Sequence, residues 1–286
     1  MNRPRRLWRA MLYVPANVRR FVEKAPEAGA DAVVLDLEDS VPQDRKLEAR
    51  QGLAEAIAIA GSAGADVLVR VNRPLRLAVD DIEAAARGGA QGILLTKTMG
   101  PDHVRLAAEI LAEIEKHPMV IVPMVETAAA VLQVEAIAAA HPRIAGLLVG
   151  AEDLALECGA APDDELIVMA KRRTVLACVA VGVSPFGTLG TVADYRDPEA
   201  IRALALRSRR SGFVGATCIH PALVPVLRQS FSPTMTELDL ARRQLAAAAE
   251  MAQQGRGSFT VDGLMVDEPI LIRARRVLAA EATIDG

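Results

Sequence analysis

The chain has 286 residues, 51% hydrophobic and 24% charged, with 20 Gly and 16 Pro, which excludes a disordered or collagen-like polypeptide. Thirty-three Lys and Arg against 36 Asp and Glu leave a formal charge of −3, so there is no global cationic surface for nucleic acid. Three scattered cysteines, Cys158, Cys178 and Cys218, make neither a disulfide framework nor a thiolate zinc site, and a reducing compartment is expected.

The first 22 residues carry Arg3, Arg5, Arg6, Arg9, Arg19 and Arg20 and no acid, superficially like an organellar presequence. Their apolar stretch, Met11 to Pro15, reads better as a strand. No run approaches the roughly 18 apolar residues of a membrane helix, and a soluble cytoplasmic protein without membrane or nucleic-acid partners is expected.

Eight short apolar runs follow one another at 10–15, 32–37, 67–71, 92–96, 120–125, 144–149, 181–186 and 212–219. Between them lie Ala- and Glu-rich segments with helical spacing, including 47–60, 104–116, 128–140, 166–180 and 198–210. Near-continuous apolar strands are buried on both faces, and regular alternation with helices calls for parallel pairing. The prediction is an α/β fold, a (β/α)8 TIM barrel over 1–230. Residues 231–286 form a C-terminal helical extension or lid of the same catalytic unit: helix 234–253, a Gly-containing loop 255–262 and helix 268–281. A doubly wound open sheet is the alternative, but neither G-x-G-x-x-G nor a Walker A sequence is present.

A barrel carries its active site at the C-terminal ends of its strands. There the sequence places Asn17, then Asp36, Glu38 and Asp39, then Arg70 and Asn72, then Lys97, Glu126, Glu152 with Asp153, and His220. Glu126 and Asp153 end consecutive strands and suit one hard divalent cation; Mg2+ takes only one or two protein carboxylates. The bland reading is a pair of helix N-cap carboxylates. Arg70 offers a permanently charged fork for a substrate carboxylate or a developing enolate, against the plainer reading of an ion pair with Asp36 or Glu38. Asn17, Asp36 and Glu38 join it as candidates for substrate binding. Lys97 has the chemistry of a Schiff-base lysine, although a salt bridge to the second-strand acids is the simpler outcome. His103, His117 and His141 look peripheral, and His220 reads as a barrel-end histidine. Arg19 and Arg20 read either as a solvated face or as contacts for the phosphates of a nucleotide-bearing cofactor or substrate.

The segments Met11-Leu-Tyr-Val-Pro-Ala-Asn17, Ala32-Val-Val-Leu-Asp-Leu-Glu-Asp-Ser40, Val69-Arg-Val-Asn72, Val125-Glu-Thr127, Gly150-Ala-Glu-Asp-Leu154, Ile219-His-Pro221 and Gly263-Leu-Met-Val-Asp-Glu-Pro269 resemble the citrate lyase beta-subunit-like CoA-ester lyases of the aldolase/citrate lyase superfamily. The resemblance runs nearly end to end. It implies a (β/α)8 barrel with Mg2+ on Glu126 and Asp153, an active-site arginine at Arg70 and a catalytic acid or base at Asp267. That residue would sit on a C-terminal segment reaching a neighbouring subunit, which implies a homotrimer or hexamer.

The chemistry implied is reversible cleavage of a 3-hydroxyacyl-CoA thioester, such as malyl-CoA or citramalyl-CoA, to a 2-oxo acid and a short acyl-CoA. Three positions depart from the pattern: Ala16 for a usual glycine, Gly187 where many relatives carry aspartate, and Ala216 where many carry lysine. The loop 188–196 also reads as longer. The alternatives are a citrate-lyase-type subunit acting on an acyl-carrier-protein thioester, a 2-oxo acid aldolase without CoA, and a non-catalytic binding barrel.

Overall fold

The structure, a computed structural model, describes residues 7–192, 195–253 and 259–285. The chain divides into two compact units, one ending at Phe231 and the other beginning at Ser232. Among the described residues no helix is long and apolar enough to cross a membrane.

The first unit holds eight strands: β1 (Ala10–Pro15), β2 (Ala32–Asp36), β3 (Asp66–Val71), β4 (Gly92–Leu95), β5 (Val120–Val125), β6 (Gly146–Val149), β7 (Ser184–Phe186) and β8 (Ala216–Cys218). All neighbours pair in parallel, in the order β7-β6-β5-β4-β3-β2-β1-β8. A parallel bridge from Phe186 to Gly215, with Gly187 N donating to Gly215 O at 2.8 Å, joins the two ends, so the sheet is a barrel. The crossovers carry α1 (Arg19–Lys24), α2 (Lys46–Gln51), α3 (Leu53–Ala60), α4 (Leu75–Gly88), α5 (Pro101–Ile114), α6 (Ala128–Val131), α7 (Val134–Ala139), α8 (Ala151–Cys158), α9 (Glu165–Val181), α10 (Pro198–Arg210) and α11 (Val224–Phe231).

The run 47–60 is two helices meeting at Gly52, and 128–140 is likewise broken at Leu132 and Gln133. The last two strands are shorter than their apolar runs. Val181 ends α9, and Gly182 caps that helix at φ 77°.

Strand side chains alternate between two cores. Leu35, Val69, Ile93, Ile121 and Leu147 point outward into the layer shared with the helices. Trp8, Met11, Val34, Leu68, Met124 and Phe186 belong to the cluster that fills the barrel interior. Trp8 stacks on Phe186 with ring centroids 5.7 Å apart and donates through Nε1 to Asp66 at 2.8 Å. Counting on by twos along the inward files reaches Asp36 from Val34, Arg70 from Leu68, and Glu126 from Met124. The pleat itself therefore places three ionisable groups above an apolar floor.

The second unit is an antiparallel pair of helices, α12 (Met235–Gln253) and α13 (Glu268–Asp285), and a hairpin of β9 (Phe259–Val261) and β10 (Leu264–Val266). Thr234 and Glu237 cap α12 reciprocally: Thr234 N donates to the Glu237 carboxylate at 2.7 Å, and Glu237 N donates to Thr234 Oγ1 at 3.2 Å. Asp262 and Gly263 turn the hairpin with φ of 53° and 76°, and Arg242 grips Glu281 through two bonds of 2.7 and 2.8 Å. Part of the predicted loop 255–262 is therefore a strand and a turn, while 255–258 lie outside the described residues.

Candidate active site

At the C-terminal end of the barrel the inward files open into a cavity of about 410 Å3. Tyr13, Asp36, Arg70 and Glu126 border it from the strand ends, Glu152 and Asp153 from the start of α8, and Thr188, Gly190, Thr191 and Val192 from the loop after β7.

Asp36 and Arg70 are register partners on β2 and β3, and this neighbourhood matures into a bidentate ion pair. Arg70 Nε meets Asp36 Oδ1 at 2.6 Å and Nη2 meets Oδ2 at 2.6 Å. Its Nη1 lies 3.1 Å from Glu38 and 3.3 Å from Asp39, and the guanidinium carbon stands 5.0 Å from the Tyr13 ring centroid. Burial pushes Asp36 upward, but Arg70, the Ser40 side chain and the Glu38 amide outweigh it and hold the carboxyl below its ordinary pKa. Burial disfavours the charged guanidinium too; Asp36 more than compensates, so Arg70 is held cationic. The fork is thus anchored by its Nε edge, which fixes the side chain that borders the cavity.

Lys97 ties β4 to both groups of acids. Its backbone stands at φ 45°, which aims the amide at Glu126 Oε2, 2.5 Å away. Its ammonium meets Glu38 at 2.6 Å, Asp153 at 3.6 Å and Asp39 at 3.8 Å. Burial works against that charge, yet Glu38 and its neighbours raise the pKa to about 12. A Schiff-base nucleophile needs a neutral amine, so the structure gives Lys97 the salt-bridge role.

Glu126 is 2% exposed. Burial raises its pKa to about 7, against the Lys97 amide bond and with help from the nearby charges of Asp153 and Glu38. Thr127, not Glu126, caps the following helix, accepting from Ala130 N at 3.1 Å. Gly150, just before α8, has no side chain because the Glu126 carboxylate occupies that space; a Cβ there would lie 2.6 Å from Glu126 Cγ. Among the described residues no group of three or more His, Cys, Asp or Glu forms a metal cluster. Glu126 and Asp153 nonetheless fit a cation that keeps most of its shell for water and substrate: both are hard oxygen donors on one cavity, and Lys97 offsets their mutual repulsion only in part, since the Glu126 carboxyl stays raised.

Other predicted residues stand elsewhere. Asn17 and Arg19 border a separate cavity of about 190 Å3 beside α2 and α3. There Arg19 pairs with Glu23 at 2.7 Å and Glu55 at 3.0 Å, and Asn17 Oδ1 is buried with no hydrogen-bond partner among the described residues. Arg20 lies over the Phe21 ring at 4.8 Å. Glu38 braces Arg70 and Lys97 without lining the main cavity. Asn72 is a buried buttress that donates to Leu37 O at 2.9 Å and Asp81 at 2.7 Å. His220 accepts from Ala222 N at 3.2 Å and stacks on Tyr195 at 4.3 Å. Asp267, in the second unit, is exposed and accepts from Ile270 N at 3.3 Å at the start of α13.

Tyr13, Thr188, Thr191 and Lys171 line the cavity without being among the candidates named from the sequence. Lys171, on α9 within the predicted helix 166–180, is only 4% exposed. The signal was its spacing, since Ile167, Val168, Thr174 and Val175 share its helix face and are all buried.

A sequence profile of the HpcH/HpaI aldolase/citrate lyase family matches residues 9–221. The chain belongs to this family. A family relative, the (3S)-malyl-CoA thioesterase of Cereibacter sphaeroides, is 34% identical over 279 residues, covering 96% of this chain and 95% of that one. The mitochondrial citramalyl-CoA lyase of Mus musculus is 29% identical over 294 residues, covering 96% and 86%. Among solved structures, CitE from Mycobacterium tuberculosis in complex with magnesium, acetoacetate and coenzyme A superposes with a TM-score of 0.78 at 29% identity, covering 96% of this chain and 97% of that one. The barrel of this HpcH/HpaI family chain and its C-terminal helices thus both have counterparts in a solved relative.

Proposed function

We propose that this chain is a carbon–carbon lyase for CoA esters, cleaving a 3-hydroxyacyl-CoA such as malyl-CoA or citramalyl-CoA to a 2-oxo acid and a short acyl-CoA. The observation that carries the reading is one cavity bordered by a carboxylate pair, Glu126 and Asp153, and by a locked guanidinium, Arg70. Related proteins are named for malyl-CoA and citramalyl-CoA, and CitE is complexed with magnesium and coenzyme A.

Glu126 and Asp153 would hold Mg2+, which when bound supplies positive charge to the oxygens of the oxo-acid end. In the cleavage direction the substrate hydroxyl gives up its proton to a base and its oxygen becomes the new carbonyl. The carbon–carbon bond breaks, and its electron pair moves onto the thioester as an enolate. Arg70 stabilises that enolate oxygen, and Asp36 keeps the guanidinium fixed as charge develops. Asp267 returns a proton to the enolate carbon, or removes it in the condensation direction. Its hairpin exposes Leu264 (67%) and Met265 (63%), apolar side chains suited to burial against a second copy, so a homotrimer or hexamer is part of the proposal. Arg19 and Arg20 are assigned to the phosphates of coenzyme A and Asn17 to the neighbouring substrate loop. The three cysteines are free, which suits a cytoplasmic setting.

The test is incubation with malyl-, methylmalyl-, citramalyl- and citryl-CoA, with Mg2+ or EDTA, and mass spectrometry of the products. Mg2+-dependent release of a 2-oxo acid is expected. The name of the Cereibacter relative favours a second reading, hydrolysis of the thioester, in which free CoA and an intact hydroxyacid appear with no 2-oxo acid. No turnover of any member would sink both.

A further inference from the structure

The cations around the main cavity are unequal. Arg70 is covered by Asp36, Glu38 and Asp39, and Lys97 by Glu38, Asp39 and Asp153. Lys171 also borders the cavity, on the side formed by Thr188, Gly190 and Thr191, and no carboxylate lies within ion-pair distance of it among the described residues. Its ammonium makes one hydrogen bond, to Gly190 O at 2.8 Å, and has three donors to place. Glu152 and Asp163 act on it only from a distance, and burial pulls its pKa down to about 8. A buried lysine without a counter-ion destabilises the fold that carries it, and an anion that binds there removes that penalty.

We infer that Lys171 anchors a second anionic group of the substrate, a carboxylate other than the one placed at Glu126 and Asp153, and so selects an acid half with two carboxylates, which within the proposed class favours citryl-CoA over malyl- or citramalyl-CoA. This rests on the lyase reading for the identity of the first carboxylate. Thr188 and Thr191 border the same side of the cavity, where their hydroxyls donate to Gly190 O at 3.1 Å and to Glu152 at 3.3 Å, so the charge of Lys171 is what that side offers a second carboxylate. Lys171 is thereby a specificity-determining residue.

The experiment uses the full-length protein, Mg2+ and free 2-oxo acids that differ by one carboxylate: oxaloacetate against pyruvate, and 2-oxoglutarate against 2-oxobutyrate. Titration calorimetry on the wild type is expected to show tighter binding of the dicarboxylate in at least one pair. Lys171→Gln, which keeps a donor for Gly190 O and removes the charge, should weaken that dicarboxylate by about 10–100-fold and leave its monocarboxylate partner unchanged. Lys171→Met should do the same without lowering the melting temperature, because it removes an uncompensated charge. An undiminished preference in both variants, or none in the wild type, overturns the inference. A Met variant that melts lower while keeping the preference assigns Lys171 to holding the loop instead. The outcome is independent of turnover: a Lys171-dependent preference without cleavage of any thioester supports the anion site and removes the lyase reading. Cleavage with no such preference does the reverse.

Discussion

Glu126 offers the sharpest test of how the site is built, because the metal-free fold should be more stable without its charge. Burial, with Asp153 and Glu38 nearby, raises the carboxyl from 4.5 to about 7. At about 1.4 kcal/mol per tenfold change, ionising it at pH 8 costs the metal-free fold on the order of 3 kcal/mol. A raised folded-state value means that this contribution to stability is full below about 4.5 and lost as the pH rises through about 7. Glu126→Gln keeps the shape and the acceptor for Lys97 N but carries no charge. In EDTA at pH 8 the variant should melt higher than the wild type, by on the order of 5 °C for a chain of this size. Well below pH 4.5 the two should converge, since the wild-type carboxyl is then protonated in both folded and unfolded chains. Added Mg2+ should raise the wild type at pH 8 and leave the variant almost unmoved. Thermal melts followed by far-ultraviolet circular dichroism, at matched pH, cancel every other titrating group. A variant that melts lower than the wild type at pH 8 in EDTA would show that the Glu126 charge is already compensated within the fold, and the electrostatic case for a cation there would fail.

Gly150→Ala should weaken Mg2+ binding by at least tenfold in a calorimetric titration without removing either carboxylate, because the new methyl group displaces Glu126; unchanged affinity would show that Glu126 can move freely. Turnover should be abolished by chelator, and borohydride should trap no adduct, as the Lys97 ion pairs require; a trapped adduct on Lys97 seen by mass spectrometry would reinstate the Schiff base. Asp267→Asn should lower kcat by about 10²–10⁴ with KM little changed. Mixing and refolding Asp267→Asn with Asp153→Asn should restore part of the activity if Asp267 serves a neighbouring copy, and restore none if each chain is self-sufficient.

Much of the fold is legible because parallel strands buried on both faces leave an unmistakable apolar signature. The run 120–125 coincides with β5, and 32–37 overshoots β2 by a single residue. The runs 181–186 and 212–219 read too long because the apolar C-terminal turn of α9 and the approach to β8, which joins β7 through the isolated Gly215 bridge, continue the same pattern outside the regular strands. Asp36, Arg70 and Glu126 were readable from their positions at strand ends. Lys171 was not, because charge dominates local pattern and its burial depends on a loop nineteen residues away in sequence, through Gly190. Which cation is covered and which is bare is likewise a tertiary property: Lys97 and Arg70 share Glu38 across 59 and 32 residues of chain.

The stacked floor of the barrel also provides an optical reporter. Trp8 is the chain's one tryptophan, it is 2% exposed, and its indole is held between Phe186 and the Asp66 carboxylate. Its emission therefore belongs to the barrel unit alone and should be blue, shifting red only when strand closure is lost. Selective excitation near 295 nm would then follow barrel opening without contribution from the helical hairpin that carries Asp267, so the cooperativity of the two units can be measured in the unmodified protein.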